Sequence, residues 1–480
     1  MEFEKEEMPE LETGEKQNSP NEMGIKNEGK LLLSFAIPAI IGMLCSAMQN
    51  IVNRIFVGNA VGSLGIAGVM VCFPLMVVFM AVSMLIGIGA TTLAAIRLGQ
   101  KNREEAEQLL GQAISLLTVL PLLLCLIAWP FQEKILTLFG ATSTIMPYAK
   151  DYMSVILIAI VFFCLSMGVN NFIRTEGKPQ IAMGTQILAA VVNIIINYFF
   201  VIRFNWGVKG AASGILIGNI VSLFWIFGYF LGKKSYLKIR LKNLRLNFSL
   251  ILKIFMLGIA PFLMQLANSV QQLVMNRTLS EYGGDNALAA VGIVSSLATL
   301  LVMPLIGFNQ GAQPIIGYNY GAKKLERVKR TLKKGILYST IFGVVSFVVV
   351  QTCSVPLASL FTADEPDVIE LAAHALRVFF LFLPLIGYQM MCSGYFQATG
   401  HPIYSAVLSL SRQVLVYIPL LCILPNFWGL EGAWRTAPIS DGVSVIVTTI
   451  VTFFAMKRLN REIQWQQEKK ARKAAALEAE

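Results

Sequence analysis

The sequence predicts an all-α polytopic membrane protein with twelve transmembrane helices in two pseudo-symmetric six-helix lobes. Three observations predict it. Of 480 residues, 55% are hydrophobic and only 14% charged, and mean hydropathy is +0.64, whereas soluble domains carry roughly a quarter charged residues. The apolar residues fall into continuous runs more than twice the ~10-residue alternating segments of a membrane β-barrel, and roughly 20 of them cross a ~30 Å hydrocarbon core as a helix. The chain also repeats itself at an offset of 222 to 223 residues.

The elements follow in order. Residues 1–30 are polar and acidic, lack the basic start and short apolar core of a secretory signal, and read as a disordered tail. Apolar spans then fall at about 31–57, 65–96, 108–130, 148–172, 180–203 and 208–232, the first lobe (31–232). A basic linker, 233–248, leads to spans at about 249–279, 286–318, 330–360, 368–397, 403–425 and 430–456, the second lobe (249–456), and a basic tail, 457–480. With the N-terminus in the cytoplasm, 29 of 39 basic residues lie on the inner side, so the positive-inside rule places both termini there. The second and eighth spans are long enough that they must tilt, bend or project from the bilayer.

The repeat sets the architecture. Span 1 carries Pro38, Gln49, Asn53 and Arg54, and span 7 carries Pro261, Gln272, Asn276 and Arg277, each 223 residues on. TEGKP (175–179) answers ATGHP (398–402), and WGVKGAA (206–212) answers WGLEGAW (428–434). An even number of spans per repeat gives both lobes the same topology, related by an axis along the membrane normal. Two such lobes leave a central cleft that can open to either side in turn, so the leading expectation is a transporter rather than a scaffold or receptor.

Composition excludes other classes. The net charge of +11 is explained by topology and needs no nucleic-acid partner. Seven cysteines sit in apolar runs without a CxxC pair, and two histidines cannot build a histidine-rich metal site. No cofactor is expected. A membrane acyl- or glycosyltransferase needs clustered His or Asp at a membrane surface, and none is present, so the chain is read as a transporter and not an enzyme.

Ionisable residues inside a span cost about 2.5–3.5 kcal/mol on insertion scales, so each needs a reason. Asp441 lies about ten residues into span 12 and Arg412 about ten into span 11 from the other side, roughly 15 Å each. The matching depth predicts an ion pair or hydrogen bond. Asp441 is then a candidate to exchange a proton or ligate Na⁺, and the alternative is a static pair holding two helices in register. Gln49, Gln265, Asn268, Gln310, Gln313 and Gln389 are expected to point into the bundle, as cavity lining or interhelical hydrogen bonds. Arg54 and Arg277, near the outer ends of spans 1 and 7, are expected to snorkel, and their symmetry makes them gate candidates. Pro38 and Pro261 each remove a backbone hydrogen bond and are hinge candidates.

IGFNQGAQPIIGYNYGAKK in span 8, the FIRTEGKP and FQATGHP turns, FLFLPLIGYQ in span 10 and APISD in span 12 resemble the multidrug and toxic compound extrusion (MATE) family, especially its bacterial branch, over about Gly29 to Met456. The resemblance implies a V-shaped pair of six-helix bundles that exports organic cations and other amphipathic drugs, driven by inward H⁺ or Na⁺ flow. It implies a monomer in the bacterial cytoplasmic membrane. The chain departs from the family where many relatives carry Asp: Asn53 stands in span 1 and Asn197 in span 5, beside Asn193 in NIIINY. Amides cannot exchange a proton near neutral pH, although their carbonyls can coordinate Na⁺. A lipid-linked precursor flippase of the same broad superfamily is the alternative, and it should carry extra spans or a cationic cavity.

Overall fold

The computed structural model describes residues 20–361 and 365–479. Among these there is no strand. Eleven helices are long and apolar enough to cross a membrane, and a pair bent by 49° makes a twelfth when read as one broken span. We number them α1 (Glu28–Val61), α2 (Ser63–Gly99), α3 (Arg103–Leu138), α4 (Met146–Thr175), α5 (Pro179–Arg203) and α6 (Gly207–Leu231). The second half holds α7 (Phe248–Gly284), α8 (Asn286–Gly321), α9 (Leu325–Ser359), the bent α10 (Pro366–Phe379 and Leu383–Ala398), α11 (Pro402–Ile423) and α12 (Pro425–Ala479).

Local sequence sets the ends. Asn27, Asn102 and Asn247 cap α1, α3 and α7 by accepting backbone N–H bonds with their side chains. The repeated turns TEGKP and ATGHP work alike: Gly177 (φ 90°) and Gly400 (φ 80°) take the left-handed conformation that ends a helix, and Pro179 and Pro402 start the next. Pro38 and Pro261 lie inside α1 and α7, and both helices run through them, so the sharp breaks fall elsewhere. They are at Gly284 (φ 61°), at Cys353 (φ −115°) in α9, at Gly429 (φ 55°) and between the arms of α10. Two π turns, Tyr198–Arg203 in α5 and Ser411–Tyr417 in α11, add a residue to the helical turn.

Packing divides the molecule unevenly. One apolar cluster runs through the first half and continues into the second through Ile254, Leu257, Ala312, Ile315, Leu332, Met391 and Phe396. All of these lie toward the ends of α7 to α10 that adjoin the basic segments. A separate cluster, with Met275, Leu279, Ala290, Leu297, Leu376, Leu421 and Trp434, fills the opposite end of the second half. The halves are therefore packed together at the basic end, and each has its own core beyond it. Paired glycines allow this: a β-carbon on Gly89 in α2 would overlap the Ile254 carbonyl in α7, and one on Gly258 would overlap the Leu85 carbonyl in α2.

One segment differs from expectation, and two carry structure that the sequence left open. Residues 1–19 of the expected tail lie outside the described residues, but 20–30 are folded: Pro20–Gly24 forms a 3₁₀ turn, Met23 is buried and α1 begins at Glu28. The basic linker is pinned to the first half, since Gln112 donates to the carbonyls of Asn243 (3.0 Å) and Arg245 (2.6 Å), and Ser115 to that of Leu244 (2.7 Å). The basic tail is helix, continuous with α12 to Ala479.

Candidate functional site

Two polar centres sit inside the halves. In the first, Asn53 on α1 meets Asn193 and Asn197 on α5. The Asn197 amide donates to Asn53 Oδ1, and to Asn193 Oδ1 at 3.3 Å. Asn193 and Asn197 are fully buried, and Asn193 Nδ2 and Asn197 Oδ1 have no partner. Gly214 on α6 makes the room, because a β-carbon there would strike the Asn197 oxygen. The three amides come together, leaving one carbonyl oxygen free to accept from a further group.

In the second, Arg412 Nε lies 2.8 Å from Asp441 Oδ1, the pair expected from their depths. The Asp441 side chain is 3% exposed. Ser440 donates to the Arg412 carbonyl at 2.7 Å, a bond that ties the π turn of α11 to α12. Next to the pair on α11, Gln413 donates to Asn268 on α7, and the buried Gln389 on α10 donates to Ser444 and to the Leu408 carbonyl. The centre therefore joins α7, α10, α11 and α12.

The other cavity candidates separate. Gln265 and Gln310 lie on the seam: Gln265 Nε2 is 3.9 Å from Met80 Sδ on α2, and Gln310 on α8 accepts from Arg174 at the end of α4. Gln49 and Gln313 are half-buried. Asn268 and Gln389 belong to the second centre. Arg54 and Arg277 are exposed, with no ion-pair partner among the described residues.

Two buried charged residues were not singled out from sequence. Arg174 reads as an ordinary basic residue of an inner turn, yet it is 4% exposed and bonded across the seam. Glu176, two residues on, is 2% exposed and accepts from Tyr229 Oη (2.5 Å), Ser235 Oγ (2.8 Å) and the Leu237 N–H (2.8 Å). Its signal was the TEGKP repeat, where ATGHP offers only Thr399.

Two like helical halves with buried polar centres, closed on each other at one end only, define an integral membrane transporter. The comparisons specify it further. The MatE family profile matches residues 38–199 and 260–423, and the chain belongs to that family. It is 29% identical over 430 residues to the multidrug export protein MepA of Staphylococcus haemolyticus (strain JCSC1435), covering 90% of this chain and 94% of that one. It is 27% identical over the same extent to MepA of Staphylococcus aureus (strain MSSA476). A MATE protein crystallised in complex with MaL6 superposes with a TM-score of 0.87 at 22% identity, over 94% of this chain and all of the other.

Proposed function

We propose that this chain is a cation-coupled antiporter that exports amphipathic drugs across the cytoplasmic membrane, with H⁺ or Na⁺ returning inward. The observation that carries the reading is the one-ended seam: halves that meet at the basic end and part at the other form one of the two states that alternating access requires. With basic segments inside, that state faces outward. Likeness to the MepA export proteins over nine-tenths of the chain supports the cargo class.

Asp441 is the coupling residue in this reading. It is the buried carboxylate at mid-depth, and Arg412 holds it where protonation or Na⁺ binding would loosen the α11–α12 contact. The Asn53, Asn193 and Asn197 centre serves as a neutral ligand shell whose free carbonyl suits Na⁺ and not a proton.

The test is efflux of a fluorescent organic cation from proteoliposomes under an imposed pH gradient and, separately, a Na⁺ gradient, for wild type and Asp441→Asn. One gradient should accelerate efflux in the wild type, and the variant should lose that acceleration while keeping downhill exchange. Full gradient-driven efflux by Asp441→Asn would remove Asp441 from coupling.

A further inference from the structure

Arg174 is the buried basic side chain among the described residues, and no carboxylate lies within ion-pair distance of it. Its guanidinium points from the end of α4 toward the middle of the neighbouring helices. The partners show this. Nη1 donates to Gln310, eleven residues up α8 from its basic end at Gly321, and, with the Gln186 amide turned so that its oxygen faces the guanidinium, Nη2 donates to it at 3.0 Å, seven residues into α5. At 1.5 Å per residue, these stand roughly 16 Å and 10 Å from the ends of their helices. Gln186 in turn donates to the Gly42 carbonyl on α1 at 3.3 Å. A basic residue at a helix end ordinarily snorkels outward, and this one reaches inward into a neutral amide cage that joins α1, α4, α5 and α8.

The cage is split by the seam. Gln186 and Gly42 belong to the first half and Gln310 to the second, so parting of the halves at this end takes away Gln310 and leaves Arg174 with donors facing the opened cleft. Five N–H groups in a rigid fork bind a carboxylate better than an amide, and bidentate pairing with an anion is the strongest contact they make. No anionic side chain competes: Glu176 is taken by four donors on α6 and the linker, and Asp441 by Arg412. A purely cationic cargo finds no opposite charge in this cage.

We infer that Arg174 is a specificity-determining residue of the cleft, exposed when the basic end opens, and that it sets the preference between cargo bearing a carboxylate or similar anionic group and cargo that is purely cationic. This rests on the export reading above and deepens it. Gln310 acts as the neutral stand-in that occupies the guanidinium while that end is closed, so arrival of an anionic group and release of the seam compete for the same donors.

The experiment uses a matched pair of dyes, a rhodamine free acid, which is zwitterionic at neutral pH, and its methyl ester, which is cationic. Transport of both is measured in proteoliposomes for wild type, Arg174→Gln, Arg174→Lys and Gln310→Glu. The wild type should carry both. Arg174→Gln should raise KM for the free acid by roughly thirtyfold or more, with the ester changed by less than about twofold, and Arg174→Lys should recover part of the loss. Gln310→Glu supplies a tethered carboxylate to Arg174; the added ion pair also tightens the seam and lowers kcat for both dyes alike, so its readout is KM, which should rise for the free acid alone. It keeps the test decisive if Arg174→Gln fails to fold. Refusal of the free acid by the wild type, or an equal change of KM for both dyes in Arg174→Gln and Gln310→Glu, overturns the inference while export of the ester leaves the transporter reading standing. Failure to carry either dye overturns the drug-export reading itself.

Discussion

Four donors converge on Glu176: the hydroxyls of Tyr229 and Ser235 and the N–H groups of Tyr236 and Leu237. Burial pushes its carboxyl above the usual carboxylate range, and the donors pull it partly back. Glu176→Gln keeps one acceptor oxygen and turns an N–H₂ toward a donor, so at least one buried group is left unpaired, at a cost of about 1–3 kcal/mol. A lower thermal midpoint in detergent, with faster amide exchange at Leu237, is the expected result, and an unchanged midpoint with unchanged exchange at Leu237 would show that the donors rearrange freely. Residue-level chemistry was legible in the sequence where depth alone decides it. Arg412 and Asp441 could be paired by counting helical rise from each end. Arg174 could not, because its place in a basic turn says nothing of which way a long side chain reaches, and that direction is set by Gln186 and Gln310 on other helices.

At the scale of elements, glycines divide by what surrounds them. Gly89 and Gly258 stand against backbone of the opposite helix, and no flexible side chain can move aside. Gly258→Val should disrupt the α2–α7 crossing, with about 1–3 kcal/mol of overpacking strain, read as faster amide exchange near Leu85 and Ile254. Gly184 in α5 and Gly292 in α8 have open space around the missing β-carbon. Alanine at either should leave the crossing intact and add roughly 0.5–1 kcal/mol of helix stability. Protection near Leu85 that survives Gly258→Val would mean the helices meet elsewhere. The twelve spans were legible from hydropathy, since length and composition fix a crossing helix. The breaks were only partly so. Proline marked Pro38 and Pro261, where both helices run on, and it marked the bend of α10, which falls at Phe380–Phe382 just before Pro384, the second residue of the second arm.

For the whole molecule, closure at one end rests on more than helix crossings. The segment before α1 reaches across to the second half: Asn319 and Arg327 donate to the Met23 carbonyl at 3.0 Å and 3.2 Å, and Lys324 to that of Gly24 at 3.0 Å. Arg327 and Lys334 each lie 3.3 Å from the Glu28 carboxylate, which is 8% exposed. Sequence periodicity could not foresee this, because the contacts join residues about 300 apart and the segment itself is polar. The strap belongs covalently to α1 and by hydrogen bonds to α8 and α9, so opening the basic end must either break these bonds or bend α1. Arg327→Ala removes the donor that touches Met23, Lys26, Asn319 and Glu28 together. Amides of 22–34 should then exchange faster, while those of α8 near Leu297, in the separate core of the opposite end, stay as in the wild type. In the same variant, labelling from the basic side should reach residues at the seam more readily, shifting the resting population toward the opposite-facing state. Unchanged exchange in 22–34 would show that the glycine crossings and the Arg174–Gln310 contact hold that end shut without the strap, which merely rides on the second half.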